Sequence, residues 1–206
     1  MNKQTLAAAL LFFCVVGPSN AAGDAATGDP AAGKTASATC AACHGADGKA
    51  ILPEYPNLAG QHASYIAKQL TAYRDGERSN QLMSPMAAAL TDQNILDLAA
   101  YYSELTPIQG VSQEENLTLG QNIYRGGVTA AGIASCTGCH GPSGKGNPAA
   151  NYPALSGQNA AYLAAQLKLF RSGDRNNDPN EMMRSLAHRL SDSEINAVAN
   201  YAAGLY

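Results

Sequence analysis

Two five-residue segments stand out in a chain of 206 residues: Cys40-Ala41-Ala42-Cys43-His44 and, 96 positions later, Cys136-Thr137-Gly138-Cys139-His140. They belong to a longer internal repeat. Tyr55-Pro56, Leu58, Gly60 and Gln61 recur at an offset of 97 as Tyr152-Pro153, Leu155, Gly157 and Gln158. Tyr65, Gln69, Leu70, Arg74, Gly76, Arg78 and Asn80 recur at that offset as Tyr162, Gln166, Leu167, Arg171, Gly173, Arg175 and Asn177. LTDQNI from Leu90 then recurs as LSDSEI from Leu190, at an offset of 100. The chain is therefore two copies of one folding unit, and a fold must be found for the unit.

Each unit reads as short helices joined by loops. Tyr65, Ile66, Gln69, Leu70 and Tyr73 fall at helical spacing within 63–73, and the counterpart runs over 160–170. Gly76 and Gly173 supply helix stops. Ser191 with Glu194 forms a capping box, Thr91 with Asn94 a weaker one, and the helices they open extend to about Leu105 and Gly204. No stretch alternates in strand fashion for long, so the expected class is all-α. The organisation expected is a signal peptide over 1–21, a first domain over 22–108, a linker over 109–116 and a second domain over 117–206.

Composition poses a problem for such units. Ala supplies 39 residues, against 40 for Leu, Ile, Val, Met and Phe combined, and eight of those 40 lie within the first sixteen positions. Two domains of roughly 90 residues must each bury most of their apolar surface to be stable. With 32 large side chains between them, something other than side chains must help fill the cores. The net charge of −3 excludes a basic nucleic-acid footprint.

The N-terminus reads as an export signal: Lys3, a continuous apolar run from Leu6 to Val16, and Ser19-Asn20-Ala21 with small residues for cleavage after Ala21. Cys14 lies inside the apolar run and is discarded with it. Loss of Lys3 leaves 12 basic against 16 acidic residues, a mature charge of −4. Export places the four remaining cysteines in an oxidising compartment.

Two thiols three positions apart on one helical turn can each add to a vinyl group of a porphyrin, with the adjacent histidine facing the iron. CxxCH is read as c-type haem attachment. A zinc site would need two CxxC pairs within one unit, and each unit has one. A thioredoxin-like pair would sit beside a βαβ pattern, and a structural disulfide gives the following histidine no role. Two covalent haem c groups are therefore expected, on Cys40, Cys43, Cys136 and Cys139, with His44 and His140 as axial ligands. A buried porphyrin also answers the thin cores.

The opposite axial positions have Met83 or Met86 and Met182 or Met183 as candidates. The offset changes from 97 to 100 between Asn177 and Met183, which implies a three-residue insertion there. The downstream register, uninterrupted to the capping segment, pairs Met83 with Met183, and these are the expected ligands. Met86 and Met182 are then flexible packing residues. His62 and His188 do not match across the repeats and are poor ligand candidates.

With these residues assembled, the chain resembles the dihaem cytochromes c4, whose halves are class I cytochrome c domains. The paired CxxCH sequences, the Tyr-Pro-x-Leu-x-Gly-Gln segments and the Met-to-LTD or LSD spacing carry the resemblance over essentially the whole mature chain. It implies Met83 and Met183 as ligands. It also implies that the carbonyls of Pro56 and Pro153 accept the Nδ1 protons of His44 and His140. A Gly with an aromatic four residues later marks where first and last helices cross; Gly120 and Tyr124 fit, whereas Gly33 is followed by Ser37.

The function expected is a periplasmic electron carrier, not an enzyme, because an iron with both axial places filled has no vacancy for substrate. The resemblance implies a quinol-oxidising complex as donor and a haem–copper terminal oxidase as acceptor, and leaves peripheral membrane association open. The alternative is the electron-accepting subunit of a larger dehydrogenase, of the flavocytochrome sulfide dehydrogenase type. Arg74, Arg78, Arg171 and Arg175 are candidates to pair with haem propionates, or are solvated helix-end charges.

Overall fold

The computed structural model describes residues 27–206; the expected signal peptide and Cys14 lie outside them. Ten α-helices are described: α1 (Pro30–Ala36), α2 (Ala41–His44), α3 (Ala63–Arg74), α4 (Met83–Ala87) and α5 (Asp92–Glu104), then α6 (Leu117–Gly126), α7 (Thr137–His140), α8 (Ala160–Ser172), α9 (Met182–Ala187) and α10 (Asp192–Ala203). The second set repeats the first, and the class is all-α. Two isolated bridges, Val128 with Ile133 and Asn147 with Tyr152, do not extend into strands. No helix among the described residues is long and apolar enough to cross a membrane.

In each half the first helix crosses the last, and the third packs beside it: α1 and α3 on α5, α6 and α8 on α10. The crossings need a helix without side-chain bulk. A Cβ on Gly33 would run into the Asp97 carbonyl, and one on Gly120 into that of Ala197. Gly33 thus makes the same close approach as Gly120 although no aromatic follows it. The missing ring comes from the other helix. Tyr102 of α5 packs against Tyr101, and Tyr124 of α6 packs against Tyr201.

The last helices are anchored where the sequence marks them. Thr91 and Ser191 each accept the backbone N–H three residues on, and the side chains of Asn94 and Glu194 return the bond, so both capping boxes are complete. Arg74 and Arg171 tie the preceding helices to these same starts. Arg74 reaches the Leu90 carbonyl (3.3 Å) and Asp92 (2.7 Å), and Arg171 the Leu190 carbonyl (3.0 Å) and Asp192.

The cores are small. One gathers Ile66, Leu98, Ala99, Tyr101 and Tyr102; the other includes Ile123, Tyr124, Leu163, Ile195 and Val198. Between the halves, the chain from Thr106 to Glu115 has no regular structure, yet it is fastened to α10. Gln113 N–H donates to Asn200 Oδ1 (2.7 Å), and Asn200 Nδ2 donates back to the Gln113 carbonyl (2.9 Å).

The halves meet through a polar interface with approximate two-fold reciprocity. Gln158 brackets the backbone of Asn57, accepting its N–H (2.8 Å) and donating to its carbonyl (2.9 Å). Its repeat counterpart Gln61 does the same to Ala154, at 2.9 Å for both bonds. Arg78 donates to Gln69 (2.7 Å) in its own half and to Tyr162 (3.3 Å) and Gln166 (2.6 Å) across the interface. Arg175 donates to Gln166 (2.8 Å) and, across the interface, to Tyr65 (2.9 Å) and Gln69 (3.1 Å). The residues that repeat most clearly in the sequence are the ones both halves use here.

Candidate functional site

Cys43 and His44 lie on the single turn of α2 with Cys40 as its N-cap, and Cys139 and His140 on that of α7 with Cys136 as its N-cap. Spacings of three and four residues bring side chains to one face of a helix. Gly45 and Gly141, both with positive φ, end these turns directly after the histidine. The four cysteines are half-buried, and none is joined to another in a disulfide.

Both histidines are buried and held by the same bond. His44 Nδ1 lies 2.9 Å from the Pro56 carbonyl oxygen, and His140 Nδ1 lies 3.0 Å from that of Pro153. A carbonyl can only accept, so Nδ1 carries the proton and Nε2 is left with its lone pair. Burial lowers both imidazole pKa values, opposed in part by the proline carbonyl bond. A neutral ring with its outer nitrogen fixed is the form that binds a metal.

Cys40, Cys43, His44, Cys136, Cys139 and His140 border one cavity of about 950 Å³, together with Met83, Met86, Met182 and Met183. The short helices α4 and α9 position the methionines. Pro179–Glu181 forms an extra turn ahead of α9, with Asn180 and Glu181 in the left-handed region. This turn lies within the stretch where the repeat offset changes from 97 to 100. Ala87 and Ala187, which end α4 and α9 at offset 100, are both 0% exposed, whereas the helices open at Met83 and Met182. Met83 is half-buried whereas Met86 is 48% exposed. Met182 and Met183 are both half-buried. Asn80 accepts the backbone N–H of Met83 (3.0 Å), and Asp178 accepts that of Met183 (2.9 Å).

His62 and His188 do not border the cavity. His62 Nε2 donates to the Lys145 carbonyl (2.7 Å) and thereby joins the two halves.

The cavity fits a haem in each half on a further ground. Arg78 and Arg175 border it, only 6% and 5% exposed, and among the described residues none of their hydrogen-bond partners is a carboxylate. Buried guanidinium groups need anions, and a haem brings two carboxylates. Sequence reasoning named these arginines but did not place them at the interface. Gln61, Gln69, Gln158 and Gln166 were noticed only as repeat matches.

A family model described as Cytochrome c matches residues 30–106 and again 120–205. Cytochrome c4 of Thiocapsa roseopersicina is 48% identical over 86% of this chain and 93% of its own length. A relative from Stutzerimonas stutzeri named "Thiosulfate dehydrogenase electron acceptor" is 41% identical over 82% of this chain and 80% of its own. The crystal structure of reduced recombinant cytochrome c4 from Pseudomonas stutzeri superposes with a TM-score of 0.85 at 40% identity, covering 87% of this chain and 100% of that one. With two CxxCH turns, two carbonyl-fixed histidines and a shared cavity, the chain belongs to the cytochrome c4 family of electron carriers, built from two tandem cytochrome c domains that each hold one covalently bound haem c.

Proposed function

We propose that the protein works in the periplasm as a one-electron relay with both irons closed, His44 opposite Met83 and His140 opposite Met183. Haem c, when bound, supplies reversible one-electron chemistry at its iron. Everything else falls to the chain. Cys40, Cys43, Cys136 and Cys139 hold the group through thioether bonds. The Pro56 and Pro153 carbonyls fix the imidazoles and make them more electron-donating. The methionine sulfurs favour the reduced iron and raise the potential. Arg78 and Arg175 compensate haem carboxylates at the interface between the domains. The observation that carries this reading is the pair of buried histidines, each with Nδ1 committed to a proline carbonyl, on a cavity that the repeat-matched methionines also border.

The donor proposed is a quinol-oxidising complex and the acceptor a haem–copper terminal oxidase. A second reading, electron acceptor of a dehydrogenase, is favoured by the relative named for thiosulfate dehydrogenase. Both readings need irons that exchange electrons without binding substrate. Mixing the oxidised holoprotein with excess cyanide or hydrogen peroxide tests this point. No rapid spectral change is expected, and fast stoichiometric binding at either iron would replace the relay with an enzyme.

A further inference from the structure

The two domains build the same pair of tyrosine rings from different helices. Tyr101 and Tyr201 are register equivalents at offset 100. Tyr101 meets Tyr102 at 5.0 Å and 53°, and Tyr201 meets Tyr124 at 5.5 Å and 55°. The counterpart of Tyr102 is Ala202, and the counterpart of Tyr124 at the crossing is Ser37. A large residue on the last helix with a small one on the first has been exchanged for the reverse, and ring volume is kept. The hydroxyl is not. Tyr124 donates to the Gly141 carbonyl (2.7 Å). The Tyr102 hydroxyl, on a residue 3% exposed that borders the haem cavity, has no hydrogen-bond partner among the described residues.

Buried hydroxyls almost always find a partner. Cys40 packs against the cluster that contains Tyr102, and both residues border the same cavity. Ser37, at the crossing, donates its hydroxyl to the Lys34 carbonyl (2.8 Å) and makes no hydrogen bond with the Tyr102 hydroxyl. We propose that Tyr102 donates a hydrogen bond to the thioether sulfur formed at Cys40, a contact the second domain lacks, and that it raises the potential of the first haem selectively. The positive end of an O–H dipole beside the porphyrin edge favours the more electron-rich, reduced state, and hydrogen bonds around a haem are a recognised means of tuning. The inference rests on the covalent haem attachment and is independent of which methionine is the axial ligand.

The test is a redox titration of the Tyr102→Phe holoprotein followed by NMR. Each haem is assigned through cross-peaks to cavity-lining residues of its own half, Ile66 in the first domain and Leu163 in the second. The midpoint of the first haem is expected to shift downward while that of the second stays in place. Tyr124→Phe should lower thermal stability and leave the first haem unmoved. An unchanged first haem, or equal shifts of both haems in Tyr102→Phe, would overturn the proposal. Should Tyr102→Phe fail to fold, the reduced wild-type protein decides. A slowly exchanging Tyr102 hydroxyl proton in contact with the Cys40 β-protons supports the bond, and a rapidly exchanging one refutes it.

Discussion

A guanidinium shut away from water, hydrogen-bonded to amide and phenol oxygens and stacked on one aromatic ring, lacks the anion that buried charge calls for. Arg78 and Arg175 make sense when haem carboxylates complete their surroundings. Arg78→Gln keeps hydrogen-bonding capacity but removes the charge. It is expected to lower the midpoint potentials of both haems, because a nearby cation favours the reduced iron, and to destabilise the holoprotein by about 3 kcal/mol. Potentiometry with thermal melts checks this, and unchanged potentials would leave the guanidinium to the interface alone. At this scale the sequence was unequally informative. The cysteines and histidines were legible because thioether attachment dictates their spacing. The arginines were legible only as candidates, since their burial depends on a domain about a hundred residues away. Arg74 and Arg171, alike in sequence to the other pair, are instead engaged at the starts of α5 and α10.

Among elements, the crossing of first and last helices bears most of each domain's architecture. Gly33 and Gly120 let α1 and α6 approach the backbones of α5 and α10 so closely that neither site can admit a methyl group. Gly33→Ala is expected to cost about 3 kcal/mol through forced separation of packed helices, and Gly120→Ala a similar amount. Chemical denaturation followed by haem absorbance would measure it; a loss below about 0.5 kcal/mol would show that the crossing is not tight. The helices themselves were readable, from capping pairs and apolar spacing, and the observed ends agree within two residues. The exchange of Ser37 and Tyr102 for Tyr124 and Ala202 was not readable. A ring of one volume can be supplied by either of two helices, and no pattern along a single helix records the choice.

For the whole molecule, duplication was the plainest message in the sequence, yet the use made of it was hidden. Gln61 and Gln158, Gln69 and Gln166, Tyr65 and Tyr162 recur because each half presents the same face to the other. A polar, reciprocal interface of this kind leaves no hydrophobic signature to find. It brings both haem sites onto one continuous cavity, with the buried arginines at the junction. The turn Pro179–Glu181 lies where the repeat offset changes, and the choice of methionine at each iron is left to measurement. Near-infrared magnetic circular dichroism of the oxidised holoprotein, with haem counted independently, tests that ligation most directly. The account predicts a sulfur-to-iron charge-transfer intensity equal to two methionine-bound low-spin haems per chain, halved in Met83→Ala and retained in Met86→Ala. Intensity for one such haem, a high-spin component, or loss in Met86→Ala with retention in Met83→Ala would contradict it.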